Sequence, residues 1–339
     1  MKNGKKTVGA RKVLAKVRKD LKLKMKRPRA NMRRNAASVL TQGVGAVARR
    51  AFGTKQAKAS NTRMLMKCLD ARIPRTLGLP RAVGPYTVIR TTVLHKSSSD
   101  FIMFAPFKDY GTEKWFSWCG IEAVVPQHDV THLSNTLIVK LPMGNLGSAC
   151  EVVPAGLTVQ VMNPASLQNA DGIFAMTRVN QQMAIGDSPA GVTWSELAGR
   201  VTANYFPRLL SGGKLAIKGV KCDSYPLDMS EYSDFMQLSD VTGHQTTMNR
   251  FIRPAALAPI IFVQNNETPK TIEFLVTMEW RVRFDPGNPA TSSHSFHNTL
   301  PDEAWNRVIR AMSSMGHGVV DLGDDIVDAG ALVGAAAMF

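Results

Sequence analysis

Positive charge is confined to one end of this chain. Of its 42 lysines and arginines, 21 fall in residues 1–67 with a single acid, Asp20, so that segment carries +20. Residues 68–339 carry 21 Lys/Arg against 25 Asp/Glu, a net −4, within a formal total of +16. The leading segment has one aromatic, Phe52, and is dominated by Lys, Arg, Ala, Gly and Asn. Such a stretch cannot bury enough apolar surface to offset its ordering entropy, so residues 1–67 are expected to be a disordered basic arm. A basic arm on a near-neutral body is the footprint of polyanion binding.

The residues expected to meet phosphate are Lys5, Lys6, Arg11, Lys12, Arg18, Lys19, Lys22, Lys24, Lys26, Arg27, Arg29, Arg33, Arg34, Arg49 and Arg50. They act by displacing condensed counterions, which makes binding strong, salt-sensitive and largely blind to sequence. With few aromatics interleaved, base stacking contributes little. Val13, Leu14, Val17 and Leu21 fall at helical spacing among these cations, a basic amphipathic helix that would form on a partner, anionic lipid included. The plainer readings of the same arm are a nuclear-localisation tract or a solubilising tail.

Residues 68–85 read as a linker, punctuated by Pro74, Gly78, Pro80, Gly84 and Pro85. From 86 to 285 the pattern is β. Expected strands are Tyr86–Leu94, Phe101–Phe104, Thr136–Leu141, Leu157–Met162, Ile173–Val179, Leu215–Val220, Pro259–Val263 and Thr271–Phe284, joined by turn-rich stretches. In the last of them Ile272, Phe274, Val276, Met278, Trp280, Val282 and Phe284 alternate with mostly polar partners, predicting one core face and one wetter face. The pattern implies an all-β antiparallel sandwich or barrel. In the C-terminal region, 286–339, a helix is predicted from about Pro301. Trp305, Val308, Ile309 and Met312 line one face, and Asp302 and Glu303 suit its positive N-terminal end. The tail is apolar, with acids at Asp321, Asp324, Asp325 and Asp328.

Several function classes lack their signatures. Cys68, Cys119, Cys150 and Cys222 are too scattered for a zinc framework or a secreted disulfide scaffold, so reduced thiols are expected. No apolar run is long enough to span a membrane, and the basic leader lacks an apolar core like that of a secretory signal; synthesis in cytosol or nucleus is expected. His128 and His132, in H-D-V-T-H, would share a helix face, but they precede a strand and have no third ligand. His294 and His297 neighbour Ser292, Ser293 and Ser295, yet no nucleophile, phosphate-loop or metalloprotease motif is present. The chain is read as non-enzymatic, with no cofactor.

Two phrases carry a resemblance. EVVPAGLTVQVMNPASLQNADGIFAMTRVN (Glu151–Asn180) resembles the adjacent strands and turn of small-virus jelly-roll coat proteins, and PIIFVQNNETPKTIEFLVTMEWRVRFDP (Pro259–Pro286) resembles their closing strand pair. The order of arm, linker, sandwich and tail is similar to tombusvirus-like and nodavirus-like capsids and to those of bacilladnaviruses. The resemblance implies a single eight-stranded jelly roll at 86–285 that assembles with copies of itself into an icosahedral shell, of T=3 type, with the arm facing inward. Roughly 180 copies at +20 would neutralise on the order of 3,600 phosphates. It also makes Asp223, Asp228, Glu231 and Asp234, with Asp240 nearby, candidates for calcium between subunits, although a solvated or salt-bridged loop explains the same residues. Nodavirus-like coat proteins cleave themselves after an Asn near the C-terminus. The counterpart is Asn298, before Thr299 rather than the usual Ala; cleavage would free Thr299–Phe339 for membrane contact. The reading is therefore a coat protein of the virion that packages RNA or DNA, made in the host cytoplasm or nucleus. The alternative is a cellular nucleic-acid-binding protein whose β-sandwich binds a partner.

Overall fold

A computed structural model describes residues 66–322, apart from 74–77, 82, 131–135, 144–145, 147–148, 184, 190 and 240–251. All the phosphate-binding candidates, the Val13–Leu21 segment, His132, Asp240 and the apolar tail lie outside the described residues.

The described residues form fifteen strands in two sheets, and eight of those strands set the architecture. In chain order these eight are β1 (Thr87–Ser97), β2 (Phe101–Phe104), β7 (Cys150–Met162), β8 (Ile173–Arg178), β9 (Arg208–Ser211), β10 (Val220–Asp223), β13 (Ile260–Gln264) and β14 (Ile272–Phe284). One sheet runs β1-β14-β7-β10 and the other β2-β13-β8-β9. Two four-stranded sheets filled in this order make a jelly roll, two Greek keys wound together. The other strands extend it. β5 (Trp118–Ala123) and β6 (Thr136–Lys140) widen the second sheet beyond β2. β15 (Val319–Asp321) adds an edge beyond β10. β3 (Phe107–Asp109), β4 (Lys114–Phe116), β11 (Met236–Ser239) and β12 (Ile252–Pro254) continue the first sheet from the start of β7.

The alternating apolar set of β14 does face the second sheet: Phe274 packs on Phe104 and Phe262 at ring distances of 5.3 and 5.0 Å. The other face departs from expectation, since Thr277, Glu279 and Arg281 are buried as well. Leu69, Ala71, Tyr86 and the later Tyr232 cover them. Leu69 and Ala71 lie over Gly156, and the Arg281 guanidinium sits over the Tyr86 and Tyr232 rings.

β7 begins seven residues before its expected start at Leu157 because a bulge absorbs Pro154. Glu279 pairs with Gly156 and Trp280 with Pro154, leaving Ala155 unpaired. A proline is tolerated in a central strand at such a point. The Ala155 carbonyl that the ladder loses accepts the Tyr232 hydroxyl at 2.5 Å.

Leu215–Val220 corrects the expectation of a strand. Gly212–Ile217 is a short helix, α2, whose N-terminus is capped by Ser211 Oγ accepting from Lys214 N, and the strand begins only at Val220. A longer helix, α1 (Trp194–Tyr205), lies over the outer face of the second sheet. It buries Trp194, Leu197, Ala198 and Val201 with Phe101, Met103 and Ile261 in a second core. The predicted C-terminal helix is α3, Asp302–Ser314, burying Ala304, Trp305, Val308 and Met312.

Candidate functional site

Residues 70–72, shortly after the basic segment, are fixed to the outer face of the first sheet by a buried ionic network. Lys221 Nζ of β10 lies 2.6 Å from Asp70 and 3.1 Å from Asp223. Thr158 Oγ1 donates to Asp223 at 2.7 Å and accepts from Ala71 N at 2.9 Å. Arg72 adds a second cation, 2.5 Å from Asp70. The two carboxylates respond differently. Burial pushes the Asp70 pKa up, but hydrogen bonding to Arg72 and the charge of Lys221 outweigh it and hold the group at about 2. Asp223 shares only the lysine, and its own burial, with Asp70 beside it, raises its pKa.

Further along, Leu300 N donates to Leu79 O at 3.0 Å and the Trp305 indole donates to Gly78 O at 3.1 Å. The segment after the arm and the C-terminal helix thus lock together on the body. Gly78 is required there: a Cβ would lie 1.8 Å from the Asn298 carbonyl oxygen. Asn298 itself is exposed, and among the described residues no hydrogen bond joins its side chain to a carboxylate.

The calcium candidates are engaged separately rather than brought together. Asp223 belongs to the lysine network. Asp228 caps Ser230 N at 2.7 Å. Glu231 accepts from the Tyr110 hydroxyl, from Gln182 Nε2 at 2.7 Å and from Ala256 N at 2.8 Å. Asp234 faces Lys108 at 3.4 Å. Among the described residues no three His, Cys, Asp or Glu side chains are grouped to hold a metal ion.

Of the histidines, His128 is exposed in a loop. His294 Nε2 accepts from Phe284 N at 3.0 Å. His297 Nε2 lies 3.0 Å from Ser295 Oγ and 3.2 Å from the Tyr86 carbonyl, and its ring stacks on Tyr86 at 4.0 Å. These contacts brace the turn into α3. Cys119, Cys150 and Cys222 are free thiols, and burial pushes Cys222 up to about 12 and Cys150 up to about 11. Thiols held protonated in this way are poor nucleophiles.

Sequence reasoning missed two surface features. Leu94 and Leu275 are cross-strand partners on the outer face of the first sheet and are exposed. On the second sheet a cleft of about 580 Å³ opens between α1 and the strands, lined by Ile173, Val263, Leu209 and Ala203, with exposed Phe206 at the helix end. Phe206 holds φ +43°, a strained conformation for a bulky residue. No helix among the described residues is long and apolar enough to cross a membrane.

No protein-family model matches this chain, and no curated protein matches it. Solved structures that this chain matches include virus particles and a virus capsid protein. The structure of infectious bursal disease virus Gt strain has TM-score 0.48 at 8% identity, covering 78% of this chain and 96% of that one. The T=1 particles derived from infectious bursal virus give TM-score 0.44 at 8% identity, with 75% and 92% covered. The mud crab tombus-like virus structure gives TM-score 0.28 at 10% identity, with 61% and 94% covered. The jelly-roll assignment rests on the strand order of this chain itself.

Proposed function

We propose that this chain is a virus coat protein: its jelly-roll body tiles a closed icosahedral shell with copies of itself, and residues 1–67 hold the packaged nucleic acid. The observation that carries the reading is the union of a jelly roll with the charge division. A sandwich whose two sheets carry extra edge strands and exposed apolar pairs such as Leu94–Leu275 has surface for self-contact. The arm supplies +20 per copy, which like-charge repulsion would keep apart until polyanion screens it. Assembly and packaging are therefore one coupled process, driven by apolar burial between bodies and completed by phosphate neutralisation. The arm recognises phosphate, which RNA and DNA share. The body's buried ion pairs and protonated thiols serve stability rather than turnover, and the chain's place is the virion.

Nuclease treatment of the purified assembly tests this. Full-length protein is expected to protect a nucleic acid from digestion, and a chain beginning at Cys68 is expected to protect none. Equal protection by both would refute the role of the arm.

A further inference from the structure

After α3 the chain turns through Gly316-His317-Gly318, with both glycines at positive φ, +62° and +69°. This turn sits where the two sheets of the sandwich meet. The His317 carbonyl accepts from Arg178 N of β8 at 3.1 Å and faces the Cys222 thiol of β10 at 3.9 Å. Gly318 leaves no room for a side chain, since a Cβ would lie 2.6 Å from the Arg178 guanidinium carbon. Beyond the turn β15 adds only three residues to the sheet edge, Val319–Asp321 against Val220–Cys222.

The His317 ring closes the turn in one protonation state. Its Nδ1 accepts the Val319 backbone N–H at 3.0 Å, which requires that nitrogen to carry no proton. Several charged side chains belong to the elements around it. Arg178 comes from β8 and Arg208 from β9, and Asp321 of β15 is already paired with Arg208 at 2.8 Å and Lys214 of α2 at 3.0 Å. Asp223 of β10 pairs with Lys221 on the far face of its strand. Among the described residues, the carboxylates of these elements, Asp321 and Asp223, are thus already paired with other cations.

We propose that the Gly316-His317-Gly318 turn is a proton-operated latch: neutral His317 holds β15 on the sandwich, and its protonation releases β15. A proton on Nδ1 removes the acceptor for Val319 N–H and places a third cation beside Arg178 and Arg208. Burial, followed by those two arginines, lowers the pKa of His317 below its ordinary value. The sign follows: the released form binds the proton more readily, so the latch is strongest above the ordinary histidine pKa and weakens as pH falls below it. The latch stands on the geometry of one chain and does not depend on the shell reading.

Amide hydrogen exchange on the full-length protein, corrected for intrinsic chemical rates, tests it. Between about pH 7.5 and about pH 5, protection of residues 319–321 is expected to fall by about tenfold or more while β7 and β14 keep theirs. His317→Asn keeps an oxygen acceptor but cannot titrate, and is expected to abolish the difference. An unchanged wild-type β15, an equal loss across β14, or the same loss in H317N would overturn the proposal. The wild-type comparison of β15 with β14 decides the matter alone should the variant not fold.

Discussion

At the scale of single residues, the body is held by a few buried polar groups whose loss should be measurable. Lys221 and Asp70 are 6% and 1% exposed. Asp70→Ala would take from Lys221 its nearest carboxylate in a low-dielectric site, and breaking a buried pair costs about 3 kcal/mol. Chemical denaturation should report a loss of that order, and a loss under about 1 kcal/mol would show the pair to be dispensable. The Asp70 carboxyl is held at about 2, below the 3.8 ordinary for aspartate, so its contribution is complete above the ordinary value and disappears as pH falls toward 2. Asp70→Asn should flatten that part of the acid stability profile. Gly78→Ala is a second test. A methyl group 1.8 Å from the Asn298 oxygen must displace the strand of chain leading into α3. A cost of about 2 kcal/mol or more is expected, read as a lowered Tm and faster proteolysis between residues 298 and 300.

At the scale of elements, legibility followed the strength of local pattern. Phe101–Phe104 was readable to the residue, and the alternation of β14 placed its core face correctly. The helix at Asp302–Ser314 was readable from Trp305, Val308 and Met312. β7 was read short because Pro154 is a strand breaker everywhere except at a bulge, and only the pairing with β14 creates that bulge. Burial of Thr277, Glu279 and Arg281 was illegible, since their cover is supplied by Leu69, Ala71 and Tyr232 from distant parts of the sequence. α1 was legible and overlooked. Thr193-Trp194-Ser195-Glu196 is a capping-box sequence, and both of its reciprocal hydrogen bonds form, at 3.2 and 3.3 Å. Thr193→Ala should therefore destabilise the protein by about 1 kcal/mol in equilibrium unfolding. No change at all would mean that packing of Trp194 and Leu197 alone sets the helix. α2 shows the opposite case, where an apolar run, Leu215–Ile217, carried no period long enough to separate helix from strand. Of the functional candidates, the acids at 223–234 looked like one cluster in sequence, but the fold assigns each a different partner.

At the scale of the whole molecule, the jelly roll and the charge division answer different questions. The strand order explains how a body of this size closes its core on two sheets, and the charge division is the basis of the proposed nucleic-acid binding. The arm's binding should be electrostatic. Raising salt from about 0.05 M to about 0.2 M should weaken nucleic-acid affinity by about a thousandfold or more, with little dependence on sequence. A flat salt response would instead assign binding to the body. The most direct test of the account is the mass of the full-length protein assembled with nucleic acid at low salt, by sedimentation and negative-stain microscopy. Closed particles of megadalton mass, built from the 37.0 kDa chain, are the predicted result, and a persistent monomer or small oligomer would contradict it.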